Sequence, residues 1–183
     1  MKTIKAWYFS GIDKKLRYGD GRTIDAGRTH KFKGQPVLCE AGLHGSVKPL
    51  DALNYAPGPV VWCVELSGYM DIGKDKIAAT ERKYLWGYDA TNVLRAFARK
   101  CALDVAHLWP APEIVMRYLK TGDESMRALA WASAMDSTWA SARASACASA
   151  CDSAYVSACD SSAMEKQDKR LYRMIMDGRK KSI

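Results

Sequence analysis

Short apolar and aromatic segments alternate with turn residues over the first 66 positions, and this pattern predicts strands. Residues 3–9 and 60–66 are rich in β-branched and aromatic side chains, and the nearly continuous apolar run of the second segment is typical of a buried strand. Residues 16–18 and 22–24 flank a Gly-Asp-Gly turn, which predicts a hairpin. Residues 28–32 and 36–39 are further strand candidates, and Pro49 precedes a predicted short helix over 50–55.

Beyond Gly73 the pattern predicts helices. Apolar residues recur at steps of three and four, and Asp89 or Thr91 is placed to cap the start of this helix. The apolar positions are Val93, Leu94, Phe97, Cys101, Val105 and Leu108. Two prolines within 110–112 end the helix, and a second helix is predicted over 113–120, ending at Gly122.

From Ser125 onward the sequence becomes rich in Ala and Ser, and no Gly or Pro interrupts residues 123–177. This composition predicts one long helix. Large or reactive residues fall at every fourth position, namely Trp131, Met135, Trp139, Arg143, Cys147, Cys151, Tyr155 and Cys159. Four residues advance by about 400° around a helix, so these side chains wind slowly around it and small residues line the grooves beside them. Such a surface suits close packing, either on the body of the same chain or on a second copy in a homo-oligomer.

The end of the chain is predicted to be amphipathic, because Leu171, Met174 and Ile175 share one helical face. Residues 179–183 read as a basic tail. The sequence as a whole predicts an α+β protein. A small, mostly antiparallel sheet body with helices would occupy residues 1–120, and a long Ala/Ser-rich helix with a basic C-terminal tail would occupy residues 121–183.

Charge is unevenly distributed along the chain, whose net charge is +8. Residues 1–120 hold nineteen Lys or Arg against twelve Asp or Glu, whereas residues 121–183 hold nine against eight. An acidic partner of the N-terminal body, such as nucleic acid or a nucleoprotein, is therefore a hypothesis, and a solvated basic surface is the alternative. Aromatic residues at 18, 30 and 32 interleave with five basic residues, which suits phosphate binding and base stacking. The five are Arg17, Arg22, Arg28, Lys31 and Lys33.

Cysteine and hydropathy patterns predict a cytoplasmic protein. The chain has no run of 18 apolar residues and no apolar stretch near its start of the kind found in signal peptides, so neither membrane insertion nor export is expected. We interpret the six cysteines as free thiols. Cys147 and Cys151 are spaced for a shared metal, but no His follows His107, so no metal site is predicted. The sequence has no P-loop, G-x-G-x-x-G, G-x-S-x-G or H-E-x-x-H motif.

One stretch of about 25 residues resembles the middle of ADP-ribosyltransferase-like domains. It comprises Gly-Leu-His-Gly-Ser at 42–46, Asp-Ala-Leu-Asn-Tyr-Ala at 51–56 and the apolar run at 60–66. The resemblance implies an enzyme that uses NAD, with His44, Ser46 and Tyr55 lining the nicotinamide pocket and Glu65 stabilising an oxocarbenium-like transition state. The chain departs from the pattern in having Trp-Tyr-Phe-Ser at 7–10, where histidine-type members place a His, and in lacking a Glu-x-Glu pair.

The whole chain is similar to uncharacterised phage and prophage proteins, including its Ala-rich segment and the following Gln-Asp-Lys-Arg-Leu at 167–171. This similarity implies an accessory role, directed at a host or host-defence macromolecule. The leading hypothesis is thus a binding protein without a cofactor that contacts a nucleic acid, a nucleoprotein or another host protein. The alternative is the ADP-ribosyltransferase-like enzyme with NAD as cofactor.

Overall fold

The chain folds as an α+β protein, as the sequence predicts. The computed structural model describes residues 2–18, 20–108, 110–134 and 161–182, with backbone alone at 161 and 162. The strands are β1 (Ile4–Ser10), β2 (Thr29–Lys31), β3 (Leu43–Gly45), β4 (Val60–Ile72) and β5 (Ile77–Asp89). The helices are α1 (Pro49–Asn54), α2 (Thr91–Val105), α3 (Glu113–Thr121), α4 (127–134 of the described residues) and α5 (Ser161–Lys181). Two short 3₁₀ helices cover Ala106–Leu108 and Glu124–Met126.

The chain divides into two compact units. The sheet unit comprises Met1–Val93 and Asp168–Ile183, and the helical unit comprises Leu94–Gln167. The sheet unit therefore includes most of α5, which follows the helical unit in the sequence. The predicted division at residue 120 stays a prediction, whereas the chain passes from one compact unit to the other after residues 93 and 167.

All strand pairings in the sheet are antiparallel, in the order β1-β4-β5-β2, and β3 also pairs with β5. β4 and β5 form a long hairpin whose register shifts twice, between Cys63 and Val64 and between Ser67 and Met70. Such bulges bend a strand. The sheet curls so far that Trp7 of β1 and Ser46, just after β3, exchange backbone hydrogen bonds of 2.7 and 3.0 Å. The two sides of the sheet thus meet, as in a small barrel.

One face of the curled sheet encloses the apolar core. Side chains alternate between the two faces of each strand, so Val60, Trp62, Val64 and Leu66 of β4 all point into this core. Its other members are Ala6, Leu16, Ile24, Leu43, Ile77, Ala79 and Tyr84. The indole N–H of Trp62 donates a 2.9 Å hydrogen bond to Ser10 Oγ, which satisfies its polar atom inside the core.

Helix α5 packs on the sheet unit through the amphipathic face that the sequence predicts. Leu171 and Ile175 are fully buried, and burial of each contributes about 1.5–3 kcal/mol. The Tyr88 hydroxyl donates a 2.7 Å hydrogen bond to the Ile175 carbonyl oxygen. Residues 179–181, expected in a basic tail, continue the helix instead, and the Arg179 guanidinium lies 4.4 Å from the ring centre of Trp86.

Several predicted elements are confirmed and two are wrong. Strands at 4–10 and 60–66, the Asp89 cap of α2 and the end of α3 at Gly122 agree with the sequence pattern. The predicted hairpin at 16–24 is present as a loop joined by a Lys15–Thr23 bridge. The chain was expected to turn helical after Gly73, but Ile77–Asp89 form strand β5 before α2 begins, because this segment pairs with other strands along both edges. Residues 36–39 form a turn closed by a Val37–Ala41 bridge.

The predicted long Ala/Ser-rich helix falls mainly on residues 135–160, which lie outside the described residues. Its described flanks, 127–134 and 161–181, are helical. Its packing and its part in self-association stay predictions. None of the described helices combines the length and the apolarity needed to cross a bilayer.

Candidate functional site

The five predicted nucleic-acid-binding residues lie together in the segment 17–33, which we call the basic surface. All five side chains are exposed. Arg17 and Arg22 belong to the loop before β2, and Lys31 ends β2, where it pairs with Glu81 in the register of β5. The structure therefore places these residues on one continuous part of the sheet unit, as a phosphate-binding surface requires.

Four of these five cations already face a carboxylate. Arg17 pairs with Asp13 at 3.5 Å and Arg22 with Asp20 at 2.6 Å. Two further pairs are Arg28–Asp25 at 3.3 Å and Lys31–Glu81 at 2.9 Å. Exposed pairs of this kind contribute only about 0–1 kcal/mol, so a phosphate group can displace the carboxylate at small cost.

Of the three predicted stacking residues, only Tyr18 is available to a base, because its side chain is fully exposed. Phe32 is half-buried and packs against the core cluster. His30 is 4% exposed, so it cannot stack on a ligand from solvent. Sequence alternation alone did not reveal that His30 turns inward from β2.

The positive charge is concentrated more strongly than the sequence order suggested. The sheet unit carries twenty Lys or Arg and twelve Asp or Glu, and the helical unit carries eight of each. The whole net charge of +8 thus belongs to the sheet unit. Six of its cations lie in residues 168–183. The count over residues 121–183 hid this contribution, because it also included acidic residues that belong to the helical unit.

A buried arginine lies at the centre of the sheet unit. Arg82 of β5 is only 2% exposed. Its Nε and Nη2 donate hydrogen bonds of 2.9 and 2.7 Å to the Tyr84 hydroxyl, and Nη1 donates to the His44 carbonyl oxygen. The guanidinium carbon lies 3.7 Å from the ring centre of Tyr8, and His30 Nδ1 lies 3.2 Å from the Tyr84 hydroxyl. We call these residues the arginine cluster.

The arginine cluster holds its charge without a carboxylate. Arg82 forms no ion pair with any residue in the described ranges. Burial, reinforced by the Arg22 and Arg82 charges, lowers the pKa of His30. Burial and the Arg82 and Lys76 charges likewise lower the pKa of His44. Among the described residues, no group hydrogen-bonds to the buried Nε2 atom of either ring. Hydroxyl, carbonyl and aromatic groups thus stabilise the guanidinium, and both imidazoles favour the neutral form.

We expect the sheet unit to lose stability as the pH is lowered from about 7 to 5. The unfolded histidines protonate near their ordinary pKa of about 6.5, whereas the folded ones resist protonation. The unfolded chain therefore takes up protons first below pH 6.5, and above that pH the two groups contribute nothing. Urea unfolding midpoints measured across this range would show the loss. A double variant with His30→Gln and His44→Gln should have a flatter profile, and an unchanged profile would contradict this origin.

The residues implied by the ADP-ribosyltransferase resemblance lie apart. Tyr55 follows α1, is 51% exposed and donates its hydroxyl hydrogen to the Asp75 carboxylate. Glu65 lies between Lys5 and Lys83 in the register of β1, β4 and β5, where opposite charges on adjacent strands stabilise a sheet. Ser46 is buried beside β1.

The register also separates His44 from Glu65. His44 pairs with Ala78 of β5, whereas Glu65 pairs with Lys83, five residues further along the same strand. At about 3.3 Å per residue this corresponds to roughly 16 Å along β5. The geometry thus does not gather these side chains around one nicotinamide-sized site, and the role that the resemblance gives them stays a prediction.

Comparison with known proteins adds one match. Residues 8–96 match the model of a domain of unknown function, DUF7666. The match extends from within β1 to within α2, so it covers most of the sheet and not α5. No curated protein and no solved structure matches the chain significantly. The comparison thus marks residues 8–96 as a recurrent domain and supplies no activity.

Proposed function

We propose that this chain is an accessory binding protein whose sheet unit binds nucleic acid through its phosphate backbone. The observation that carries the proposal is the concentration of the entire net charge of +8 on the sheet unit, while the helical unit is neutral. A unit of such charge attracts polyanions over long range, and each phosphate contact releases bound counterions.

The basic surface supplies the contacts. Its guanidinium and ammonium groups are exposed, and their carboxylate partners are exposed or half-buried, so phosphate oxygens can compete for the same donors. Tyr18 offers a free aromatic face beside them for an unpaired base. No base-reading groove is part of the proposal, so binding should be largely independent of sequence. It also requires no cofactor.

The cellular setting is part of the same proposal. The similarity to phage and prophage proteins supports action in the cytoplasm of a bacterial host, on a host or host-defence nucleic acid or nucleoprotein.

Fluorescence anisotropy of the full chain with a labelled single-stranded 20-mer, and with the matching duplex, would test nucleic-acid binding. We expect the affinity to fall at least tenfold between 50 and 200 mM salt, which corresponds to a net of about two phosphate contacts or more. A triple variant with Arg28→Gln, Lys31→Gln and Lys33→Gln should bind at least tenfold more weakly at 100 mM salt and should show a shallower salt dependence.

The control removes charge from the helical unit. Lys100 and Lys120 are exposed there, and changing both to Gln should leave the affinity within about twofold. An affinity for nucleic acid that does not change with salt concentration would contradict the proposal. An equal loss of affinity in the triple variant and in the control would also contradict it, because affinity would then depend on the total charge of the chain and not on the basic surface.

A further inference from the structure

A cavity of 210 Å³ lies within the sheet unit, between the outer face of the sheet and helix α5. We call it the α5 pocket. Its main lining residues are Lys5, Trp7, Cys63, Trp86, Tyr172 and Arg179. The cavity is partly open to solvent, so a ligand can enter it.

The pocket follows from the alternation of each element. Ala6 and Val64 point into the core, so Lys5, Trp7 and Cys63 point to the opposite face of the sheet. The register shift beside Cys63 brings Trp86 to that same face, opposite Cys63. The two wall residues of α5, at 172 and 179, are seven positions apart and therefore lie on one side of the helix.

Aromatic rings form the walls. Trp7 and Trp86 stand edge to face with ring centres 5.7 Å apart and an interplanar angle of 78°. Trp7 and Tyr172 stand at 88° with centres 5.8 Å apart. Edge-to-face contacts are a favoured packing of aromatic pairs, so the three rings hold one another in place as one wall of the pocket. Such walls suit a flat apolar group, as in most small-ligand sites.

Two cations converge on this pocket against one carboxylate, Glu65, whose charge acts on the Cys63 thiol together with those of Lys5 and Arg179. Lys5 and Arg179 form no ion pair with any carboxylate in the described part of the chain. Glu65 is the cross-strand neighbour of Lys5 in the register, yet it does not pair with it either. Cys63 is fully buried, and burial raises the pKa of its thiol, so it stays neutral. The pocket therefore presents a net positive charge beside aromatic walls.

We propose that the α5 pocket binds one planar aromatic group that carries an anionic substituent, of which a nucleoside monophosphate is an example. Typical ligand pockets measure about 300–1,000 Å³. A cavity of 210 Å³ is smaller than these, so we expect it to hold a single aromatic group. This site goes beyond the proposed nucleic-acid surface, because it uses none of the residues of the basic surface.

Calorimetric titration of the full chain with AMP would test the pocket, with adenosine and inorganic phosphate as partial ligands. We expect AMP to bind at least tenfold more tightly than either, since only AMP uses both the aromatic walls and the cations. NAD should bind no more tightly than AMP. Equal affinities for AMP and phosphate would overturn the proposal, and so would the absence of AMP binding.

Two variants locate the ligand. Lys5→Gln and Arg179→Gln should each weaken AMP binding at least tenfold. Lys5 is exposed, so its variant is expected to fold even if loss of the Arg179 contact to Trp86 unfolds the other. The matched control is Lys180→Gln, an exposed neighbour on α5 that pairs with Asp177, and it should leave AMP affinity unchanged. The basic-surface triple variant should also keep AMP binding. If the triple variant loses AMP and Lys5→Gln keeps it, the pocket proposal fails independently of the nucleic-acid proposal.

Discussion

Replacing Gly87 with Ala is expected to destabilise the sheet unit by at least about 3 kcal/mol, at the upper end of the cost of overpacking a core. A Cβ at this position would overlap Cε3 of Trp62 and would lie 2.5 Å from Cδ2 of the same ring. The ring cannot easily move. Its Nε1 is bonded to Ser10, and its face meets the edge of Tyr84 with ring centres 5.6 Å apart.

Urea unfolding of Gly87→Ala, alone and combined with Trp62→Leu, would measure this effect. Leu lacks the ring atoms that the new methyl group meets, so Gly87→Ala should cost clearly less in the Trp62→Leu background than in the native one. The glycine substitution changes the entropy of the unfolded chain equally in both backgrounds, so this effect cancels when the two losses of stability are compared. A loss below about 1 kcal/mol in the native background would show that the Trp62 ring moves aside.

Replacing Arg82 with Ala is expected to cost at least about 3 kcal/mol, whereas Arg82→Met should cost less than half as much. Truncating a long buried side chain to Ala typically costs about 2–5 kcal/mol, and here it also leaves the Tyr84 hydroxyl and the His44 carbonyl without their donor. Met also leaves these two groups without their donor, but unlike Ala it fills much of the same volume, and it removes a buried charge that has no carboxylate partner among the described residues. Apolar replacement of buried charges is often tolerated for that reason.

Thermal and urea unfolding of both Arg82 variants would distinguish the contribution of side-chain packing to stability from that of the guanidinium charge. Lys83→Met is the matched control, since Lys83 is the exposed neighbour on the same strand, and it should change stability by no more than about 0.5 kcal/mol. If Arg82→Met costs as much as Arg82→Ala, the guanidinium itself stabilises the fold through Tyr8 and Tyr84, and the packing explanation is wrong.

The sequence predicted the strands whose apolar pattern is local. The sequence alone indicates the apolar runs of β1 and β4 and the caps of α2 and α3. Strand β5 was missed because it combines two small alanines with Glu81, Arg82 and Lys83, which favours a helix on propensity alone. Its conformation is set by partners on both edges, which are distant in sequence.

The candidate sites were harder to predict from the sequence, because they too depend on contacts between residues that are distant in sequence. The basic surface was predicted because its members lie within 17 residues of one another, but its ion pairs were not, since they depend on loop geometry. The α5 pocket joins Lys5 and Trp7 to Arg179 at the other end of the chain. Alternation in β1 and the helical spacing of Tyr172 and Arg179 were visible signals, yet neither indicates that these faces meet.

The sheet unit is discontinuous in the sequence, and this has a consequence for protein synthesis. Residues 94–167 must be translated after the last strand and before the segment that completes the unit. At about 5–20 residues per second, this delay lasts roughly 4–15 s. During that time the nascent chain presents Trp7 and Trp86 without helix α5 to cover them. The sheet unit therefore reaches its final form only after residues 168–181 have been synthesised, and until then its aromatic face stays uncovered.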